Sequence, residues 1–549
     1  MKRRDFIRRL SYTGAGAVML GGVPIHAMQG KGLFQLAAAN SNNDNVLVFI
    51  QLHGGNDALN TLVPVAQYDE YYNLRPNLAL LSSGDRGYKE LDASLADAFR
   101  VGVHPEMIAT KSMYDAGNVA VVQNVGYPNM NLSHFRGRDI VFMGGDAQSD
   151  YESGWMGRFL DHTYPGYPDA YPNDDMPDPL GIELSGTQSL AFHTETSIPN
   201  GLSFYSPEGF FELINSTGNY QTQPPIVFPD SHAGDELRYI MEFEAKNNQY
   251  APRLRDVYNA GSNTASVEYP DAYPRYAPKA HKNNPLTPQL RLIARLLSGG
   301  IKTRIFLVRI GGFDTHGEQV EPGEPSLGMH AALLYHLSEA VKAFYDDLNG
   351  QGIDDKVLSM TFTEFGRRAY SNDSYGTDHG TSTPVLLFGT GLNAGIHGVN
   401  PDLTDLQGGN LKYNIDYRQI YTSVVQDWFG ASDEALISTG FNEWVGNKLD
   451  LIKGATGTHE TINSKDSGKL SVYPNIVSSD FKLQFFLEKT APVKAYVYSV
   501  EGKRVLSAEI EGRYGVNRIP LNAASLSAGK YVVQVRAGNK FFTASFVKK

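Results

Sequence analysis

Short apolar runs, each meeting glycine and polar residues at one end, alternate along this chain with segments whose apolar positions recur every three to four residues. Residues 46–52 (VLVFIQL) lead straight into His53-Gly54-Gly55-Asn56-Asp57, and 118–123, 301–310, 356–362 and 384–388 are further runs of this kind. Runs this short and this uniformly apolar predict strands buried on both faces of a parallel sheet. Between them Leu333, Leu334, Leu337, Val341, Phe344, Tyr345 and Leu348 fall on one face of a helix over 331–348, and 290–297 and 417–429 keep the same period. Strands alternating with helices predict an α/β fold, with a mostly parallel central sheet flanked by helices.

Two stretches break this rhythm. Residues 150–280 are rich in Tyr, Pro, Asn and Asp, as in DHTYPGYPDAYPNDDMPDP, and predict an insertion on an α/β domain that spans 44–453. The carboxylates there lack the spacing of a calcium loop and read as solvated. Residues 454–468 (GATGTHETINSKDSG) have the polar composition of a linker. Over 469–549 the period becomes two: strands are expected at 481–487, 493–499, 504–509, 531–536 and 541–547, with turns at Glu501-Gly502, Gly512 and Ala528-Gly529. Such short alternating strands predict a small antiparallel β-sandwich. A chain of 549 residues is in any case too long for one ordinary core.

The first 39 residues read as a leader. Arg3-Arg4, then Asp5, Phe6 and Ile7, precede a weakly apolar stretch rich in Gly and Ala, the pattern of a twin-arginine export signal. Cleavage is expected after Ala27 or within Ala37-Ala38-Ala39. That stretch is too short for a permanent membrane helix, and no other is long and apolar enough to span a bilayer. The net charge is −11, although the leader alone contributes Lys2, Arg3, Arg4, Arg8 and Arg9 against Asp5. The remainder is therefore more acidic still, which argues against nucleic acid as a partner. With no cysteine in the chain, disulfides, thiolate metal sites and a cysteine nucleophile are excluded.

Candidate chemistry gathers where polar residues abut the predicted strands, because ligands of open α/β sheets bind at the carboxyl ends of strands. Gly311-Gly312-Phe313-Asp314-Thr315-His316 offers a carboxylate and an imidazole suited to zinc. Thr363-Glu364-Phe365-Gly366-Arg367-Arg368 offers a further carboxylate ligand, with arginines able to grip an anion, or else a Glu–Arg pair bracing a loop. In Gly376-Thr377-Asp378-His379-Gly380, His379 is a candidate ligand and Asp378 either a ligand or the group that orients it. Asp57 follows the first strand. Ser133 opens a predicted helix as a nucleophile or a plain N-cap, and His134 is a base, a ligand or a packed histidine.

Together GGNDALNTLVP (54–64), SHF (133–135), GGFDTHGEQ (311–319), EFGR (364–367) and GTDHG (376–380) resemble the exported bacterial family DUF1501, a sulfatase-like group of the alkaline phosphatase superfamily. The tail resembles the type A sorting domain of the type IX secretion system. That likeness rests on VYPN (472–475), VYSVEGKRV (497–505), LSAGKYVVQV (526–535) and the closing Lys548-Lys549. The first resemblance implies an alkaline phosphatase-like fold with a two-metal site and a Ser or Thr nucleophile. Carried over, Asp314, His316 and His379 match one metal site and Ser133 the nucleophile. At the second site the pattern departs: His53 stands where the family's first strand carries Asp, and Glu364-Phe365-Gly366 lacks the expected histidine. No S-x-P-x-R element of ordinary sulfatases is present.

The expected function is thus an exported, metal-dependent hydrolase of phosphate or sulfate esters. Its metal ligands are drawn from Asp314, His316, His379, Asp378, Glu364 and Asp57; Ser133, His134 and Arg367 are the catalytic candidates, and zinc is the expected ion. Expected partners are the twin-arginine and type IX machineries and an anionic ester or glycan. The alternatives are a non-catalytic surface protein that binds glycan or protein on the same fold, and an envelope assembly factor. The second resemblance implies transit through the periplasm to the cell surface or beyond.

Overall fold

The computed structural model describes residues 18–20, 23–25, 43–184, 186, 189–196, 199–215, 231, 234, 249–454, 470–473, 476–487, 491–500, 502–512, 515–538 and 540–549. The twin-arginine motif, both proposed cleavage points, nearly all of the 454–468 linker, and Pro474-Asn475 of the VYPN motif lie outside the described residues. Residues 1–42 form one unit, in which Val18–Leu20 pairs antiparallel with Val23–Ile25; residues 43–549 form the other.

The second unit is built on a nine-stranded sheet. Its strands are β1 (Val46–His53), β2 (Val119–Gly126), β3 (Gly181–Leu184), β4 (Gly201–Ser203), β5 (Ile305–Gly311), β6 (Val357–Phe362), β7 (Thr383–Phe388), β8 (Gly395–His397) and β9 (Ile415–Asp416). They lie in the order β8-β2-β7-β6-β1-β5-β3-β4, with β9 beside the end of β2. Every pairing is parallel except those of β7, which runs antiparallel to both β6 and β2. The five apolar runs are five of these strands, within a few residues at their ends. Strands β3 and β4 come from the Tyr/Pro/Asp-rich stretch read as an insertion, so part of that stretch extends the central sheet.

Alternation along the strands sends successive side chains to opposite faces. Val46, Val48, Ile50 and Leu52 of β1, with Phe306, Val308 and Ile310 of β5, pack against α3 (Thr287–Ser298) and α4 (Met329–Gln351). Leu47 and Phe49, with Ile305 and Leu307, face the other way onto α1 (His134–Met143), α2 (Trp155–Thr163) and α5 (Tyr417–Ser423). The helix expected over 417–429 is α-helical only through α5 and then widens into a π-helix at Val424–Trp428. The wider turn carries the Trp428 indole to where its Nε1 donates to the Val46 carbonyl at 3.1 Å, tying the helix to the start of β1.

The tail is two sheets closed on one core. Leu470–Tyr473, Asp480–Leu487 and Gly515–Asn522 form the first; Ile476–Val477, Ala491–Ser499, Arg504–Gly512, Gly529–Ala537 and Lys540–Lys548 form the second. Phe481, Leu483, Phe485, Val493, Val497, Val533, Phe542 and Phe546 fill the space between them. All pairings are antiparallel except Ile476–Val477 with Lys540–Lys548.

Candidate metal centre

Strand direction gathers the candidate residues. The loops that leave β1, β5 and β6 (HGGND, GGFDTH and TEFGR) all lie at the carboxyl edge of the sheet. Because β7 is antiparallel, its amino end lies at that same edge, and the preceding GTDHG segment arrives there too. So does α1, which begins just after β2 ends. Gly54 makes the closest approach possible: its φ is +127°, and a Cβ there would stand 2.2 Å from the Asp314 amide nitrogen. An L side chain would thus be both strained and blocked.

At the centre stands Asp314, its side chain half exposed. His134 Nε2 lies 3.4 Å from Asp314 Oδ2, and His379 Nε2 lies 3.3 Å from Oδ1. His316 Nε2 is also 3.3 Å from Oδ1. One ligand atom each from His134, Asp314 and His379 falls within 4.8 Å of the others, a spacing at which a single cation can be held. The buried Phe365 ring packs against both imidazoles, with centroids 4.9 Å from His134 and 4.5 Å from His379.

The remote ring nitrogens fix the tautomers. His379 Nδ1 is 2.9 Å from the Leu132 carbonyl, which can only accept, so Nδ1 carries the proton and the Nε2 lone pair faces Asp314. His134 Nδ1 lies 3.1 Å from Glu364 Oε1. Burial by itself would raise the Glu364 carboxyl, but its bond with His134 and the nearby His53 outweigh it and hold the group below its usual range. An ionised Glu364 accepts only, so His134 also presents Nε2 to Asp314. Carboxylate or carbonyl behind imidazole, with Nε2 forward, is how histidines are oriented toward a metal.

The bond to Glu364 raises the His134 imidazole above its ordinary value, whereas burial, with Arg367 next, lowers that of His379. Around one carboxylate, two facing nitrogen lone pairs are reconciled either by a proton or by a shared cation. The donor set of two imidazoles and one carboxylate fits a zinc-like ion.

Two expectations need correction. Asp57 was expected to ligate metal, but it is buried in an ion pair with the equally buried Arg75, 2.7 Å from Arg75 Nη1, and accepts from Gln319 Nε2 at 2.6 Å. Burial would raise its pKa, but the Arg75 charge, then His330, hold it below the usual carboxylate range. Arg367 was expected to meet substrate charge. It is 1% exposed. Its nitrogens donate to the carbonyls of Gly54, Gly55, Phe313 and Thr377 and, at 2.7 Å, to Asp314 Oδ1. Arg367 therefore orients Asp314 and clasps the loops together.

The other candidates take outer places. Glu364 stands behind His134 and also accepts from the Gly54 amide at 2.8 Å. Asp378 is exposed and stands behind His316, 3.4 Å from its Nδ1. Ser133 is the N-cap residue of α1, exposed, and its hydroxyl makes no capping hydrogen bond. Residues not singled out from sequence also matter. Gln319, fully buried, accepts from Thr315 Oγ1 at 2.9 Å and Thr377 Oγ1 at 2.8 Å while donating to Asp57. It thereby cross-links the loop bearing Asp314 to the loop bearing His379. A glutamine five residues past a metal-type Asp gives no sign of this from spacing alone.

Residues 227–435 match the family model described as "Protein of unknown function (DUF1501)", and residues 471–549 match that of the "Secretion system C-terminal sorting domain". The first match contains the GGFDTHGEQ, EFGR and GTDHG segments; GGNDALNTLVP and SHF precede it. No curated protein matches the chain. Among solved structures, the PsFucS1 sulfatase from Pseudoalteromonas sp. is 10% identical, with 90% of this chain and 89% of that one covered and a TM-score of 0.32. A protein of the alkaline phosphatase superfamily from Vibrio parahaemolyticus is 9% identical, with 88% and 86% covered and a TM-score of 0.31. The alkaline phosphatase of the Antarctic bacterium TAB5 is 11% identical, with 73% and 99% covered and a TM-score of 0.23.

Proposed function

For a chain whose residues 227–435 belong to the DUF1501 family and whose residues 471–549 are a secretion sorting domain, we propose an exported, divalent-cation-dependent hydrolase of phosphate or sulfate esters. The observation that supports it most is the convergence of His134 from the start of α1, Asp314 from the loop after β5 and His379 from the segment before β7, with both imidazoles held Nε2-forward. Asp314, His134 and His379 would hold the ion and His316 would flank it. When bound, such an ion supplies a Lewis acid for an ester oxygen.

The protein's own groups do the rest. Ser133, exposed beside His134, is the nucleophile, with the first amides of the ten-residue α1 favouring negative charge nearby. Glu364 and the Leu132 carbonyl keep the imidazoles in their tautomers, and Arg367 fixes the carboxylate. Export starts from the twin-arginine leader, crosses the periplasm and ends at the surface or outside under direction of the tail. No helix among the described residues is long and apolar enough to cross a membrane.

The test is turnover of 4-nitrophenyl phosphate and 4-nitrophenyl sulfate by the purified chain with zinc, manganese or calcium. Cation-dependent release is expected with at least one ester, and Ser133→Ala is expected to lower it by about 100-fold or more. No turnover with any cation would count against the hydrolase. The exposed Phe135, 75% accessible beside the cluster, keeps one rival in view, a glycan-binding surface protein; binding to a glycan array without turnover would favour it.

A further inference from the structure

The apolar run that becomes β2 carries two amides near its end, Gln123 and Asn124, before Val125 resumes it. Both lie in the interior, 2% and 5% exposed. An amide there costs free energy unless its donors and acceptors are matched.

Strands β2 and β7 fall out of step at this point. Thr383 pairs with Val125 and Val385 with Val122, so two steps along β7 match three along β2, the unequal count of a β-bulge. Pro384 stands at the slip and brings no N–H to the ladder. Asn124 takes up the extra length at φ +58°, a left-handed conformation that asparagine reaches more readily than most side chains.

Beside the bulge lies a cavity of about 20 Å³, with Gln123, Asn124, Ser382 and Thr383 on its polar side and Leu59 and Leu411 on its apolar side. Apart from Pro401, every residue of its wall is buried. A single water needs about 10–15 Å³ and two or more polar partners. No carboxylate lines the cavity, so a cation would find no counter-charge there.

The polar groups can be accounted for one by one. Asn124 Oδ1 accepts from Ser382 Oγ at 2.5 Å. Among the described residues, Gln123 Oε1 and Nε2, Asn124 Nδ2 and the Thr383 hydroxyl have no hydrogen-bond partner. Gln123 Nε2 and Thr383 Oγ1 are sealed behind their neighbours. Gln123 Oε1 and Asn124 Nδ2 keep accessible surface, which in residues so buried opens on the cavity. The cavity thus presents one donor and one acceptor, and a water can accept from the first and donate to the second.

We propose that this cavity is the binding site of one internal water, held by Asn124 Nδ2 and Gln123 Oε1. The water fills the break in the ladder at Pro384 and ties β2 to the start of β7. Thr383, the first residue of β7, follows His379 by four positions, so the water braces the strand whose lead-in joins the cation cluster. The site stands whether or not the ester-hydrolase reading does.

A high-resolution crystal structure of the full wild-type chain is the first test. One electron-density peak within hydrogen-bonding distance of both amides is expected; a cavity without density, or one filled by a rotated side chain, would overturn the site. In solution, oxygen-17 magnetic relaxation dispersion counts long-lived internal waters. Gln123→Leu, which nearly keeps the volume and removes the amide, is expected to lose one of them, with circular dichroism checking that it folds. An unchanged count in folded Gln123→Leu would overturn the site, and if that variant fails to fold the wild-type density decides alone.

Discussion

Asp57 illustrates how a residue's neighbours decide its chemistry. From the sequence it is an acid at a strand end, where ligands bind; in the fold Arg75, eighteen positions later, closes over it with side-chain exposures of 0% and 1%. Removing one partner of such a pair leaves an uncompensated buried charge, so Asp57→Asn is expected to cost about 3–5 kcal/mol of stability, measured by urea denaturation. The native pKa is held below 3.8, so the stabilisation is complete above the unfolded value and is lost as pH falls through the native one. The difference between wild type and Asp57→Asn should therefore shrink below about pH 4. Asp314 offered the opposite case. Its Asp-x-His spacing pointed to metal chemistry, and the fold does bring imidazoles to it, but His134 joins the tight cluster while His316 stands to one side. Nothing in the residues around His134 reveals which loops it will face.

Elements were legible where one physical signal dominated. The runs 46–52 and 356–362 are apolar throughout because both faces of the sheet are covered, and they are strands β1 and β6. Strand β3 is only four residues long and sits among Pro, Asp and Tyr, so composition hid it. In the tail, Gly515–Asn522 contains Pro520, which argues against a strand interior; among the described residues it pairs only with Asp480–Leu487, and a sheet edge tolerates a missing donor. The reversed direction of β7, which brings His379 to the cluster, leaves no mark on the apolar pattern at all. Between elements, Gln319 is the clamp whose loss should be felt at a distance. Gln319→Ala frees Thr315 and Thr377 from each other, and affinity for zinc is expected to fall by about 10-fold or more, measured by chelator competition, with the fold retained by circular dichroism. Unchanged affinity would mean that the backbone bonds between these loops, such as Thr377 N to Thr315 O at 3.0 Å, suffice by themselves.

At the scale of the whole molecule, an α/β body and a β-sandwich tail were both visible in the change of period from helical alternation to two. The tail matches the family model of a secretion system C-terminal sorting domain, and in the proposed reading it directs the body to the surface or outside the cell. A body that works there without disulfides relies on its two apolar layers and, in this reading, on an ion that ties together the loops of α1, β5 and β7. The most direct measurement is the metal content of the purified chain by mass spectrometry, set beside that of the Asp314→Ala/His379→Ala double variant. One equivalent of a divalent ion in the wild type, lost in the folded double variant, is the expected result; wild-type protein that takes up no ion, or a double variant that keeps it, would contradict the proposed centre.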